Sequence, residues 1–337
     1  MRARTVATTC AVVALAVPGC AIETESVDAP IDERSGDELE QGFDGDEVDQ
    51  GFDGDEVDDD VDQDEPTGEV DDEFDDDAGD EFDDPVPADG VADCDPVDVG
   101  EELGEVETIY AVVDGELAGP CFGPTADVLV DAWSTLEAVT PPDDLSLLSL
   151  WAGFEGDGRT LAFAGPLDAS HDEFVIAIDL DTAADDPDEL SLTVVHEYAH
   201  VITQTTEELD VLGDPDACET LWNGSGCFWD DSYVFLWVED WWPDSYLADL
   251  PPDGSEDEEG GLERCDVDRT FLGAYSASSP EEDFAETFSA FVFGLDVPPG
   301  VQPKIDWLEQ FPELLVYRER RADADLPIPA NNFDICG

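Results

Sequence analysis

From residue 100 onward, apolar and polar positions follow two different spacings, which predicts a mixed α+β fold. Residues 106–115, 145–154, 160–165 and 173–180 are short, mostly apolar runs, as is typical of buried strands, and the last of them has a β-branched centre. The sequence EGDGR separates the second run from the third and predicts that these two strands form a β-hairpin. Residues 123–139 instead have apolar side chains at helical spacing, and a proline pair ends that pattern.

Four further helices are predicted downstream of the strands. A helix over 187–205 begins with Asp186 as its N-cap and a proline in its first turn. A second helix begins after Ser279, which is again followed by proline. Residues 231–242 and 304–321 predict the other two helices, and the arginines near the end of the last one are expected to pair with surface acids.

The charge of the chain excludes whole classes of partner. Lys and Arg number 10 against 91 Asp and Glu, which gives a formal net charge of −81. Nucleic acids and anionic membranes would be repelled, so neither is expected as a partner. The acid excess continues in the part of the chain predicted to fold, which favours a hydrated surface suited to high salt; binding of a cationic partner is the alternative.

Residues 21–92 are predicted to be a disordered acidic linker ahead of a folded domain at 93–337. The linker is dominated by Asp and Glu, and its nonapeptide QGFDGDEVD at 41–49 is repeated unchanged at 50–58. With this charge and so few apolar residues, the segment cannot bury enough surface to offset its ordering entropy. Calcium binding by the repeats is the alternative to a solvated spacer, although neither repeat has the full ligand set of a calcium loop.

The first 20 residues have the features of an export signal. Two arginines precede a 13-residue apolar run, Thr5–Val17, which is shorter than the roughly 20 residues that a membrane-spanning helix needs. The run ends in Val-Pro-Gly-Cys, which resembles a bacterial lipobox, and the resemblance implies lipidation of Cys20. The protein is therefore expected outside the cytoplasm, anchored to the cell membrane by lipid or, as the alternative, cleaved at an ordinary signal peptide and secreted.

Beyond the signal, the cysteines are even in number, which predicts three disulfide bonds in an exported protein. The favoured pairs are Cys218–Cys227, which would close a local loop, Cys94–Cys121 and Cys265–Cys336, although the sequence alone does not separate the possible pairings. No Cys-x-x-Cys spacing occurs, which argues against the alternative of a cysteine zinc site.

Two of the three histidines lie four residues apart on the helix predicted over 187–205. Because such residues project from the same helix face, His196 and His200 can present two imidazole nitrogens to one metal ion. Glu197 then lies beside the remaining coordination position, where it can take a proton from an activated water. A buried His-Glu-His set among uncharged neighbours would be costly without a ligand. The third histidine, His171, is expected at the surface.

The sequence Val-Val-His-Glu-Tyr-Ala-His-Val-Ile resembles the motif of zincin metallopeptidases. No histidine follows His200, which excludes the zincins whose third ligand is a downstream histidine. The chain instead resembles the gluzincins, including the anthrax lethal factor catalytic domain, in which a glutamate on a second helix completes the site. Here Tyr275 precedes Glu282 by seven residues, and Phe-Ala-Glu-Thr-Phe follows at 284–288.

The resemblance implies a zincin-like metallopeptidase domain with a small twisted sheet, an active-site helix and a following glutamate helix. It implies one zinc ion, and it assigns roles to five side chains: metal ligands His196, His200 and Glu282, a histidine partner Glu286, and an oxyanion stabiliser Tyr275. The residues alone leave open which of Glu281, Glu282, Asp283 and Glu286 is the third ligand.

We therefore expect an exported zinc metallopeptidase that hydrolyses peptide bonds with Glu197 as general base. It would act on a protein or peptide substrate and be a monomer. A hydrolase of another bond and a non-catalytic surface protein with a structural zinc site are the alternatives. The tryptophans between residues 222 and 242 are interpreted as a small hydrophobic subcore, with the wall of a substrate cleft as the alternative.

Overall fold

A computed structural model describes Cys94 and residues 105–156, 160–252, 254–330, 333 and 335–336. The predicted export signal, Cys20 and the acidic linker with its repeat lie outside the described residues. The described part is a mixed α+β structure, as predicted. In it, no helix is long and apolar enough to cross a membrane.

The main sheet consists of five strands. Their bounds are β1 Glu105–Val113, β2 Glu116–Phe122, β3 Leu148–Glu155, β4 Ala162–Pro166 and β5 Phe174–Asp179. The strands are arranged in the order β2-β1-β3-β5-β4. β3 and β5 run parallel, whereas the other neighbouring strands are antiparallel. The central strands β3 and β5 are almost entirely buried, while the edge strand β4 is only partly buried.

The predicted hairpin between 145–154 and 160–165 is wrong, because β5 lies between β3 and β4 in the sheet. A strand that is apolar on both faces belongs in the interior of a sheet, and β3 has β1 on one side and β5 on the other. The sheet does contain a hairpin, but it joins β1 to β2. Its turn is made by Asp114 and Gly115, whose φ values of 53° and 75° suit a tight two-residue turn.

Ten helices occur in the described residues. Their bounds are α1 Asp127–Val139, α2 Pro142–Leu145, α3 Leu180–Asp185, α4 Pro187–Thr203, α5 Tyr233–Trp241, α6 Asp244–Leu247, α7 Glu258–Val267, α8 Pro280–Phe293, α9 Gln302–Leu308 and α10 Pro312–Asp323. Two short strands, β6 Leu209–Asp210 and β7 Cys227–Phe228, pair as a small ribbon, and a single 3₁₀ turn at Pro215–Ala217 lies between them in the chain.

Helices α4 and α8 begin where their capping residues predict. The Asp186 carboxylate accepts hydrogen bonds from the backbone N–H groups of Asp188 and Glu189, each at 3.1 Å. The Ser279 hydroxyl caps α8 by accepting from the backbone N–H of Glu282 at 3.2 Å. Each cap satisfies N–H groups that have no partner within the helix.

The single helix predicted over 304–321 is wrong, because the structure has two helices there, α9 and α10. Pro312 begins α10, and a proline is favoured in a first helical turn but breaks the interior of a helix. Arg318 pairs with Glu309 at 2.6 Å, as expected for the arginines of this segment. Arg320 instead donates to the backbone carbonyl of Glu137.

The core of the molecule is formed where α4 and α8 pack against each other, with α4 also packing on β4. Both helices are buried on nearly every face, as expected for helices in the interior of a larger fold. Trp237 and Trp242 belong to this main core, so the prediction of a separate small subcore formed by the tryptophans is wrong. Trp222 is half-buried and Trp229 is exposed.

His171 is buried, with 5% of its surface exposed, so its expected surface position is wrong. Its backbone lies in the left-handed region, with φ of 54°. Its Nδ1 lies 2.7 Å from the carbonyl oxygen of Gln204, the residue that ends α4. Because a carbonyl only accepts, Nδ1 donates this bond and satisfies a carbonyl at the helix end.

All three predicted disulfide pairs are confirmed. The Cα–Cα separations are 5.4 Å for Cys94–Cys121, 5.6 Å for Cys218–Cys227 and 5.0 Å for Cys265–Cys336. Disulfides persist in oxidising compartments, so their presence indicates an extracytoplasmic environment.

Candidate metal centre

Two histidines on α4 face the same direction toward α8. His196 and His200 are one helical turn apart, and their Nε2 atoms are 3.2 Å from each other. Only 6% of His196 and 3% of His200 is exposed. Two imidazole nitrogens therefore converge on one buried point, as the four-residue spacing predicts.

The first turn of α8 contains three consecutive acids that point in three directions. Neighbouring helix positions are rotated by about 100°, so adjacent side chains cannot share a partner. Glu281 accepts a hydrogen bond from Asn223 Nδ2 at 2.9 Å. Asp283 accepts from Lys304 on the opposite side. Glu282, between them, is the acid that faces the histidines.

The carboxylate of Glu282 reaches both imidazoles. Its Oε2 lies 3.0 Å from His196 Nε2, and its Oε1 lies 3.4 Å from His200 Nε2. Within the part of the chain that the structure describes, these three side chains are the only group of histidine, cysteine and acidic residues positioned to share a metal ion, with ligand atoms within 4.8 Å of one another. Of the four acids that the sequence leaves open, the structure therefore brings Glu282 to the histidines.

The chemistry of this group fits a divalent zinc ion. Two imidazole nitrogens and one carboxylate oxygen form a ligand set that zinc uses when it keeps a further position open for substrate or water. The centre also contains polar atoms that lack a protein partner: Glu197 Oε2 and the Tyr275 hydroxyl are buried without a hydrogen bond. Unsatisfied buried polar atoms are costly, and a bound ion with its solvent would give them partners.

The three candidate ligands are strongly coupled electrostatically. Burial lowers the pKa of His200, but the Glu282 carboxylate outweighs burial and raises that pKa to about 9. Burial raises the pKa of Glu282, but the two histidines lower it by a larger amount. The pKa of this carboxyl group is therefore well below its usual range. Without a metal ion, a proton on His200 therefore compensates the charge of Glu282.

Binding of zinc should consequently become weaker as the pH falls. A metal ion needs neutral imidazole, so it must displace the His200 proton at any pH below about 9. We expect the zinc affinity to decrease roughly tenfold per pH unit between pH 8.5 and 6.5. Competition with a chromophoric chelator of known pH dependence measures this slope. A zinc affinity that is constant over this range would contradict the assigned charge states.

Glu197 lies on α4, next to the candidate ligand His196. It is 1% exposed, and its carboxylate lies close to the backbone of Ala164 in β4. Burial raises the pKa of Glu197, while the nearby His196 and His200 oppose the shift. The structure thus places a poorly solvated carboxylate with an unpaired oxygen next to the metal group, as the motif predicts.

Tyr275 approaches the centre from the turn that precedes α8. Its ring lies 5.8 Å from the ring of His196, measured between centroids. Burial raises the pKa of the Tyr275 hydroxyl well above its ordinary value, and the carboxylates of Glu282 and Glu256 add to the shift. The hydroxyl is therefore protonated at neutral pH and available as a hydrogen-bond donor.

A buried arginine holds the turn that carries Tyr275. Arg264 Nε donates to the carbonyl of Ala277 at 2.7 Å, and its Nη2 donates to the carbonyl of Ser278 at 3.3 Å. The same Nη2 pairs with Asp257 at 3.1 Å. These bonds fix the backbone between Tyr275 and the cap of α8, and nothing in the sequence pattern indicated them.

Glu286 is close to Glu282 but does not contact the histidines. Burial raises the pKa of Glu286, and the charges of Glu282, Asp283 and Glu189 raise it further. No hydrogen bond to His196 or His200 is present among the described residues, and Glu286 Oε2 is buried without a partner. Its role as the partner of a zinc-binding histidine stays a prediction.

Sequence reasoning also missed Asn223, the partner of Glu281. Asn223 lies in the loop closed by Cys218–Cys227, far from α8 in the chain, and its Oδ1 accepts from the backbone of Ser225 and Gly226. Only the turn-like sequence Asn-Gly-Ser-Gly marked this loop, and it carries no information about a contact with α8.

Comparison of the chain with protein-family models, curated proteins and solved structures finds no match.

Proposed function

We propose that this protein is a zinc-dependent metallopeptidase of the gluzincin type. The observation that carries the proposal is the meeting of Glu282 on α8 with His196 and His200 on α4 in one buried group. Glu197, adjacent to that group, adds a carboxylate with a free oxygen, which a purely structural site would not need. Structural zinc sites are usually closed by four protein ligands, and this group supplies three.

The proposed reaction assigns a proton-transfer role to Glu197. Zinc held by the three ligands would polarise the scissile carbonyl and lower the pKa of a water to about 7. Glu197 takes the proton of the attacking water on its unpaired oxygen and delivers it to the amine that leaves.

Tyr275 has the complementary role of stabilising negative charge. Its hydroxyl is buried, without a partner and held in the protonated form by its surroundings. A donor in this condition can form a hydrogen bond to the oxyanion that develops as the carbonyl is attacked.

The edge strand β4 is a suitable platform for an extended peptide. It has a strand neighbour on one side only, β5, and it packs against α4 beside Glu197. An unpaired strand edge can bind a peptide through backbone hydrogen bonds, independently of its side chains. A peptide paired with β4 would thus lie beside α4, the helix that carries His196 and His200.

The proposed cellular setting is the outer face of a bacterial membrane. The disulfides are consistent with export, and a lipid on Cys20 is the proposed anchor, with the acidic linker as a spacer. The protein would act as a monomer on protein or peptide substrates. Its net charge of −81 makes nucleic acid an unsuitable partner.

Cleavage of a quenched fluorescent casein by the purified full-length protein at high salt tests the proposal. We expect hydrolysis that generates new amino termini, that stops on addition of a zinc chelator and that returns with one equivalent of zinc. The Glu197→Gln variant, purified in parallel, controls for contaminating proteases. One tightly bound zinc per chain without cleavage would favour the structural alternative, and chelator-resistant cleavage would exclude the proposed mechanism.

A further inference from the structure

Lys304 is the only lysine in a chain with 91 acidic residues, and it is completely buried. Lysine is among the residue types that are almost never fully buried unless paired. On the surface of this protein, lysine would be an ordinary counter-charge, yet none is present there. The one lysine that the sequence does contain lies directly behind the metal-binding turn of α8.

The ammonium group of Lys304 is bound to a single carboxylate. Its Nζ lies 2.7 Å from Asp283 Oδ1 and 2.6 Å from Asp283 Oδ2. Asp283 is itself 0% exposed. Two indole N–H groups complete the environment of that carboxylate, Trp237 at 2.8 Å and Trp242 at 3.0 Å. Asp283 is therefore fixed by three side chains from two separate segments of the chain, which are α5 with its C-cap residue, and α9.

This arrangement bears on the metal ligand because Asp283 and Glu282 are adjacent on α8. Their side chains project about 100° apart, so the rotation of the helix that suits Asp283 also sets the direction of Glu282. A helix turned by a fraction of that angle would move the Glu282 carboxylate away from His196 and His200. The bonds to Asp283 are strong and directional, and they act within the same helical turn as the ligand.

Stability alone is a poor explanation for this ion pair. Replacement of a buried ion pair by apolar residues of similar size is often neutral or stabilising, because two buried charges lose their hydration. An apolar pair would, however, leave the rotation of α8 less sharply defined. The physical advantage of the charged pair is therefore geometrical.

We propose that Lys304 is a positioning residue for the metal centre, which holds Asp283 and thereby directs Glu282 toward the two histidines. The inference rests on the proposed function only in that the three ligands bind zinc, and it does not depend on which bond is hydrolysed. Partners that orient metal ligands typically change the metal affinity by about 10- to 100-fold when they are removed.

Two variants of the full-length protein test this role through the zinc affinity, measured by competition with a chromophoric chelator. Lys304→Met removes the cation and should lower both the melting temperature and the zinc affinity. The double variant Asp283→Asn, Lys304→Met removes both charges and retains an oxygen acceptor for the indoles. It should have a melting temperature close to that of the wild type, yet bind zinc about 10-fold or more weakly.

Tyr317→Phe, on α10, is the matched control, because it removes a buried hydrogen bond next to α8 without touching Asp283. Tyr317 donates to Asp144 at 2.6 Å and packs on Phe288 of α8, beyond the metal-binding turn. This variant should lose thermal stability but keep its zinc affinity within about twofold of the wild type. A double variant that regains both stability and wild-type zinc affinity would overturn the proposal, as would a loss of affinity in Tyr317→Phe equal to that of Lys304→Met. If the wild type itself binds no zinc, the proposed function fails first, so the two failures are distinguishable.

Discussion

Replacement of Glu197 by glutamine is expected to reduce peptide hydrolysis by about 10³-fold or more while zinc stays bound. The amide has the size of the carboxyl group but cannot accept the proton of the attacking water. Burial already raises the pKa of Glu197, which means that an ionised carboxylate at this position destabilises the folded protein. The variant should therefore be as thermally stable as the wild type, or more so, as is common when a catalytic acid is neutralised.

Asp188→Asn is the matched control for this substitution. Asp188 is an exposed acid near the start of α4, so its replacement changes the charge of the same helix without touching the site. Activity and zinc content should both stay within about twofold of the wild type, since an exposed charge at a helix end contributes little. Normal turnover by the Glu197 variant would show that Glu197 is not the general base. Loss of zinc in that variant would indicate that Glu197 is a metal ligand instead.

Replacement of Glu282 by glutamine should weaken zinc binding by about 100-fold or more and abolish activity along with it. The neutral amide is a poor zinc ligand. Its loss of affinity should outweigh the weaker proton competition at His200, whose pKa Glu282 no longer raises. Added zinc should restore activity only at concentrations far above those that saturate the wild type. Titration of metal-free protein with zinc measures both effects.

Glu281→Gln provides a sharp comparison, because it neutralises the adjacent acid in the same turn. Burial raises the pKa of Glu281 to about 7, and a glutamine oxygen can still accept from Asn223. The zinc affinity of this variant should remain within a few-fold of the wild type. The assignment of Glu282 as third ligand fails if the two variants lose zinc equally, or if Glu281→Gln loses more.

The two helices that carry the candidate metal ligands were predictable because their signals are local. A capping acid followed by proline starts α4, a serine followed by proline starts α8, and both caps form the expected hydrogen bonds. The spacing of His196 and His200 fixes their common face through helix geometry alone. Glu282 could be proposed as their partner from its resemblance to a known pattern, but three neighbouring acids remained possible.

The contacts that select Glu282 were not predictable because they join residues far apart in the chain. Asp283 binds Lys304, 21 residues away, and Glu281 binds Asn223, 58 residues away, so both acids already have partners other than the histidines. No local propensity encodes such pairs. The strand order failed for the same reason: burial patterns identify β3, β4 and β5 as strands but not as neighbours. His171 was expected at the surface because its sequence neighbours are polar. Those neighbours give no sign of the hydrogen bond between His171 Nδ1 and the carbonyl of Gln204 at the end of α4.

An anomalous-difference map at the zinc edge, from crystals of the wild-type protein grown with zinc, would show directly whether α4 and α8 hold a zinc ion. We expect one peak within about 2.0–2.2 Å of His196 Nε2, of His200 Nε2 and of a Glu282 carboxylate oxygen. The Glu197 carboxylate should lie beside that peak without replacing any of the three ligands. Absence of a peak between α4 and α8, or a peak bound by other side chains, would contradict the account.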